Sequence, residues 1–171
     1  MVKFKNLVQG DILSFVAADN KYKAILCTAV KKDRSPHSCD FAATTYSSEN
    51  LPTLDNILQC DFYGRPNAQS SSFPYPQTAI NVMWEVHPEI KPYILGSYGL
   101  TIWNVDLKPF EGNFELIGNL NIVSDLLMNG NGSVNASSWD FFSDFFAGNG
   151  LDKLLERGHK PFSIRAIVMP E

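Results

Sequence analysis

The sequence predicts an α+β fold with a predominantly antiparallel, bent or barrel-like sheet and two short C-terminal helices. Three observations predict it: a hairpin pattern in residues 10–30, further strand-like apolar segments through the middle of the chain, and an amphipathic aromatic pattern near the C-terminus. The 171 residues, 44% of them hydrophobic, fit a single domain spanning residues 1–171.

The hairpin consists of two apolar runs joined by residues 18–21. Asp19 and Asn20 tolerate the left-handed backbone of tight hairpin loops, so we predict a two-residue loop in which Phe15 faces Ala24. Side chains alternate along a strand, and this register gives a core face of Leu13, Phe15, Ala17, Tyr22, Ala24 and Leu26. The mixed opposite face is either covered by a helix or partly wet, and a one-residue change in loop length would exchange the two faces.

Segments with strand character follow along the chain. Strands are predicted at residues 39–46, at 78–86, at 93–105 (two short strands with a turn at Gly96 and Gly99) and at 113–123, with a bend at Gly118 and Asn119. The spacing of Leu54, Ile57 and Leu58 favours a short helix before an extended end near residue 63. The density of Pro and Ser in residues 64–77 predicts a long flexible loop, a kind of segment that is usually either functional or disordered.

Residues 135–158 form the predicted helical C-terminal part. Ser137 or Ser138 can cap a helix that begins near Trp139. One half of its helical wheel carries Trp139, Phe141, Phe142, Phe145 and Phe146, and the other carries Asp140, Ser143 and Asp144. A second helix at 151–157 ends at Gly158, and a final strand follows at 161–168, with Phe162, Ile164, Ala166 and Val168 on one face.

Charge and cysteine content exclude several classes of protein. The net charge is −4, with 14 Lys and Arg against 18 Asp and Glu, and the absence of a basic stripe argues against nucleic-acid binding. The N-terminus lacks an apolar segment of signal-peptide length, and no run approaches the roughly 20 apolar residues of a membrane span. Cys27, Cys39 and Cys60 are odd in number and irregularly spaced, which favours reduced thiols in a cytoplasmic protein.

Candidate metal chemistry is sparse. The nearest approach to a ligand set is His37, Cys39 and Asp40 together with Cys60 and Asp61. Paired Cys-x-x-Cys spacing, which is common in zinc sites, is absent, and we interpret the first segment as a turn followed by a buried cysteine. We therefore predict no metal and no cofactor. His159, between a helix cap and a strand, is predicted to lie on the surface.

One acid–base constellation is geometrically conceivable. Glu85, His87 and Glu89 would share one face of a strand, as a general acid–base site requires. Pro88 favours a strand end instead, with all three side chains in solvent. The alternative function is accordingly a small hydrolase or ligand-binding enzyme that uses Glu85 and His87 under a lid formed by residues 64–77.

The polar side of the aromatic helix is the candidate binding surface. Asp140 and Asp144 are ordinarily explained as solvated residues of an amphipathic helix. The functional interpretation is an acidic patch that binds a basic protein partner.

Two segments resemble a known family. Gly10-Asp-Ile-Leu-Ser-Phe with Tyr22-Lys-Ala-Ile-Leu, and Phe114-Glu-Leu-Ile-Gly-Asn119, are similar to the opening hairpin and a later strand of bacterial immunity proteins that neutralise polymorphic toxins, in the immunity protein family numbered twenty-six. The quoted segments cover 17 of the 171 residues, about a tenth of the chain. It implies a non-enzymatic intracellular binding protein that occludes a toxin domain and needs no cofactor.

Overall fold

A computed structural model of the protein describes residues 2–32, 38–65, 97–98, 100–103, 108–122, 138–156 and 158–169. Eight strands lie in these residues: β1 Asp11–Val16, β2 Tyr22–Lys31, β3 Ser38–Ser48, β4 Asp61–Arg65, β5 Ser97–Tyr98, β6 Leu100–Trp103, β7 Glu115–Asn119 and β8 Lys160–Ser163. Three α-helices accompany them: α1 Leu54–Leu58, α2 Trp139–Ala147 and α3 Gly150–Glu156. Short 3₁₀ helices occur at Phe4–Asn6, Lys108–Asn113 and Ile164–Ile167.

The strands form one antiparallel sheet, and the predicted α+β class is confirmed. Its main path has the order β5-β4-β3-β2-β1-β7, while β6 pairs with β3 and β8 pairs with β4. Two strands share one edge of β3, since Phe41 pairs with β6 and Thr44 pairs with β4. The described strands do not close into a barrel, and register shifts at the β1–β7 and β2–β3 pairs bend the open sheet.

The hairpin exists, but its predicted register is wrong by one residue. Phe15 pairs with Lys23 rather than with Ala24, and the Ala17 N–H donates to the Lys21 carbonyl at 3.0 Å. The loop therefore has three residues, and Asn20 takes the left-handed conformation with φ 59°. Because side chains alternate along a strand, the extra loop residue exchanges the two faces of β2 relative to those of β1.

The sheet buries both of its faces. The aromatic face contains Phe4, Phe15, Phe41, Phe110, Phe114, Phe142 and Phe146 together with Leu13, Ile25 and Cys27. The aliphatic face contains Ile12, Ala24, Leu26, Ala42, Ile57, Leu120, Ile122, Ile164 and Ile167 together with Phe62 and Phe162. The predicted core face is thus correct for β1 and wrong for β2, because Ala24 and Leu26 lie on the aliphatic side.

Most of the other predicted elements are confirmed, with local differences. The predicted short helix is α1, and it begins with a capping box in which Thr53 Oγ1 accepts from the Asn56 N–H at 3.2 Å. The predicted final strand ends early, because the chain turns into a 3₁₀ helix after Ser163 and buries Ile167 in place of Ala166. The predicted strand at 78–86 and most of the predicted loop at 64–77 lie outside the described residues.

Candidate functional site

The outer face of α2 is the candidate binding surface, and it consists of Asp140, Phe141 and Asp144. All three residues are exposed, and Phe141 keeps 46% of its surface accessible to solvent. The two carboxylates are four residues apart, and Phe141 lies between them in sequence. This surface therefore combines negative charge with an exposed aromatic ring.

The opposite side of α2 holds the helix in place. Phe142 and Phe146 are buried against the ring of Phe15, with ring centroids 5.0 Å and 4.9 Å from it. Trp139 stacks on Phe142 at 5.7 Å. Because these contacts fix the rotation of the helix about its axis, they also fix which side chains face solvent.

A hydrogen bond defines each end of α2. Ser138, one of the two predicted candidates, is the N-cap, and its hydroxyl oxygen accepts from the Phe141 N–H at 3.2 Å. At the other end the Gly148 N–H donates to the Asp144 carbonyl at 2.8 Å. The acidic residues consequently lie in the first and last turns of a well-bounded helix.

The sequence interpretation assigned Phe141 to the buried side, and this assignment is wrong. On a helical wheel Phe141 lies about 100° from Phe142 and about 140° from Phe146, on the far side of the buried stripe. Ser143, which was assigned to the polar side, is buried next to that stripe. A helical wheel with its buried stripe centred on Trp139, Phe142 and Phe146 predicts the correct orientation of α2.

The helix dipole explains one of the two carboxylates. Asp140 lies in the first turn, where a negative charge is favourable, whereas Asp144 lies in the last turn, where it is unfavourable. Helix stability therefore does not account for Asp144. The neighbouring α3 adds exposed Asp152 and Glu156 against Lys153, which gives residues 138–156 a net charge of −3.

A concavity lies between the N-terminal turn and β7. It has a volume of about 410 Å³, and its lining residues are Val2, Lys3, Asn6, Leu7, Asp11, Phe114, Glu115 and Leu116. Asp11 accepts from the Val8 N–H at 2.9 Å and from Asn119 Nδ2 at 2.8 Å, so its carboxylate holds the β1–β7 edge together. Lys3 forms an ion pair with Glu111 at 3.4 Å. Asp11 and Lys3 therefore have structural partners, and among the described residues that line this concavity no nucleophile lies next to a base.

The enzyme hypothesis stays a prediction. Glu85, His87 and Glu89 lie outside the described residues, as does His37 of the candidate metal ligands. In the described parts of the chain, no three His, Cys, Asp or Glu side chains are grouped to hold a metal ion. Cys39 and Asp40 are buried at successive positions of β3. Their side chains therefore point to opposite faces of the sheet.

His159 was predicted to lie on the surface, but it is buried. Gly158 has φ 87°, and its N–H donates to the Leu155 carbonyl while the His159 N–H donates to Leu154. This bond pair is the Schellman motif, in which the residue after the glycine folds back on the helix. His159 Nδ1 lies 3.1 Å from the Leu154 carbonyl oxygen. The Gly-His pair after α3 was the signal that could have predicted its burial.

Two further titratable groups are shifted by their surroundings. Burial raises the pKa of Cys60, although Thr45 opposes this through a hydrogen bond. Burial also raises the pKa of Tyr63, and the nearby carboxylates of Asp152 and Asp61 raise it further. Both shifts favour neutral side chains, as expected for partly buried residues.

Comparison with known proteins finds no relative of this chain. The chain matches no protein family model, no characterised protein and no solved structure. Within the described residues, no helix has both the length and the apolar character needed to cross a membrane.

Proposed function

We propose that the protein is a non-enzymatic, cytoplasmic binding protein, and specifically an immunity protein that occludes a bacterial toxin domain. The observation that carries the proposal is the outer face of α2, where Asp140 and Asp144 flank an exposed Phe141 on a helix that is rigidly anchored to the core. The resemblance of the hairpin and of residues 114–119 to immunity proteins supports the particular class.

The chemistry of this face fits a basic partner. Exposed carboxylates accelerate and orient the approach of a positively charged surface, and nuclease toxins present such a surface to bind phosphate. An exposed aromatic ring gives the contact apolar area, and it can also stack against a partner Arg or Lys. Asp144 supports a binding role most directly, since the helix dipole disfavours it.

The test uses the full chain and a candidate toxin domain chosen from the genes that neighbour its own. Wild-type protein should bind this domain, with an association rate that falls as salt is raised, and its co-expression should protect cells from the toxin. The double substitution Asp140→Lys and Asp144→Lys should weaken binding at least tenfold and abolish protection.

A charge-matched control separates a specific surface from general charge. Glu49 and Asp55 are exposed carboxylates outside α2, and their joint replacement by Lys changes the net charge equally. This control should retain protection. Equal loss in both variants would argue for net charge alone, and wild-type protein that neither binds nor protects would remove the proposal.

A further inference from the structure

Cys27 of β2 and Cys39 of β3 lie together on the aromatic face, and both are completely buried. Their strands are antiparallel neighbours, with Cys27 paired to Phe41 and Val30 paired to Cys39. The two cysteines therefore occupy diagonal positions on one face. The third cysteine, Cys60, packs against the aliphatic face.

An irregularity in the strand pair lies beside the two thiols. Diagonal neighbours in a regular antiparallel pair are about 7–8 Å apart, with their Cβ atoms somewhat closer, whereas the Cβ atoms of a disulfide are about 3.8 Å apart. The register shifts between Cys27 and Ala29, and such a bulge bends the strand and increases its twist. The two side chains interact strongly enough to shift each other's pKa, which places the sulfur atoms near each other, and the Cys27 thiol also lies 3.8 Å from the Ala29 carbonyl oxygen.

The contact makes the two thiols chemically unequal. The hydrogen bond from Cys27 lowers the pKa of Cys39, which burial and Asp40 oppose and Lys32 reinforces. The same contact, together with burial, raises the pKa of Cys27. Cys39 is thus the side that more readily becomes a thiolate, and Cys27 is the side that keeps its proton.

We propose that Cys27 and Cys39 are a redox-modifiable pair that hydrogen peroxide converts into an intramolecular disulfide. The Cys39 thiolate attacks one peroxide oxygen, the O–O bond breaks, and the released hydroxide takes up a proton to become water. Cys39 is then a sulfenic acid. The Cys27 sulfur loses its proton and attacks the Cys39 sulfur, and the S–O bond breaks to release a second water. The two thiols lose two electrons, and the peroxide gains them.

The modification would tie β2 covalently to β3 on the face that supports α2. Because both sulfurs are buried, peroxide reaches them when the strand pair opens locally, so opening sets the rate. Denaturant at concentrations below the unfolding transition should accordingly accelerate the reaction.

The test uses the full-length Cys60→Ser variant, whose only thiols are Cys27 and Cys39. After treatment with hydrogen peroxide, intact-mass analysis should show a monomer that has lost two hydrogens, with neither thiol open to alkylation after unfolding. Dithiothreitol should restore both thiols. Peptide mapping should place the cross-link between residues 27 and 39.

Two variants distinguish the pair from independent oxidation. Cys27→Ala and Cys39→Ala, each with Cys60→Ser, should gain oxygen atoms at the remaining thiol and form no intramolecular cross-link. A Cys60→Ser chain that gains oxygen atoms without losing two hydrogens overturns the proposal. It is also overturned if the folded Cys60→Ser chain stays unmodified under the conditions that oxidise the same chain when it is unfolded. The peptide map decides the matter even if the alanine variants fail to fold.

Discussion

The two faces of the sheet are built from alternate residues of the same strands, yet they are packed in different ways. On the aromatic face, Phe15 and Phe142 belong to a group of rings in edge-on and tilted contacts. On the aliphatic face, β1–β3 contribute small side chains such as Ala24 and Ala42, and the covering elements are α1 and the 3₁₀ turn at Ile164–Ile167. Among the residues that the structure describes, only the aromatic face carries a helix of more than two turns.

The difference shows how the core determines the outer surface. Bulky rings can be covered by a helix with a matching aromatic stripe, and the opposite side of that helix remains polar. Small side chains instead let short segments approach the sheet closely. The proposed binding surface therefore lies over the aromatic face because that is where an amphipathic helix is required.

The largest effect is expected at Phe142. Its side chain is buried and its ring contacts those of Phe15, Phe110, Phe114, Trp139 and Phe146. Phe142→Ala should lower the free energy of unfolding by about 4 kcal/mol, because it removes apolar burial and leaves a cavity. Urea denaturation followed by circular dichroism measures the change.

Phe141→Ala is the matched control for this substitution, since it truncates the same side chain on the same helix. With Phe141 exposed, we expect a change within about 0.5 kcal/mol. A comparable loss in both variants would contradict the orientation of α2.

The second prediction tests whether the two faces are independent. Ile57 is completely buried on the aliphatic face, and Ile57→Ala should cost about 3 kcal/mol. Because Ile57 and Phe142 belong to separate clusters, the double variant should show the sum of the single effects within about 0.5 kcal/mol. A larger deviation in denaturation experiments would mean that the sheet couples its faces.

A smaller effect is expected from a buried hydroxyl on the aliphatic side. Thr44 Oγ1 donates to the Ala24 carbonyl at 2.8 Å, and Thr44 is buried. Thr44→Val preserves the shape but leaves that carbonyl without this donor, so we expect a loss of about 1 kcal/mol. Thr45 bonds to the backbone of Asp61 but is exposed, and Thr45→Val should cost less because water can replace its hydroxyl. Equal losses would show that burial is not the deciding factor.

The elements of the fold could be predicted because each follows from local patterns. The spacing of Leu54, Ile57 and Leu58 predicted α1, and Ser138 and Gly158 correctly marked the ends of helices. The register of the hairpin could not be predicted in the same way. Two- and three-residue loops both accept Asn20 in a left-handed conformation, and the choice between them inverts one strand.

The candidate site was predictable only in part. The exposure of Asp140 and Asp144 follows from their place opposite the aromatic stripe, and the structure places both in solvent. Phe141 was missed because five aromatic residues in a row of eight suggest a wider buried stripe than a single helix face can hold. The burial of His159 depends on a cap geometry that brings residues 154 and 159 together.

The smallest predicted effect concerns the ion pair that closes the aromatic face at the hairpin loop. Lys23 Nζ lies 2.7 Å from both Asp19 Oδ2 and Ser47 Oγ, and the Lys23 side chain is only 8% exposed. Burial raises the pKa of Asp19, but hydrogen bonds from Lys23 and from the Lys21 N–H outweigh it and hold the pKa below 3.8.

A folded-state pKa below the unfolded value means that the contribution is fully present above pH 3.8 and is lost as the pH falls through the folded pKa. The difference in unfolding free energy between wild type and Asp19→Asn should therefore be constant from about pH 7 to 5 and shrink below pH 3.8. Lys23→Met should remove most of this pH dependence, since it removes the main partner. A difference in unfolding free energy that stays constant through acid pH would show that Lys23 does not shift the pKa of Asp19. The rings alone, and not the ion pair, would then close the aromatic face at the hairpin loop.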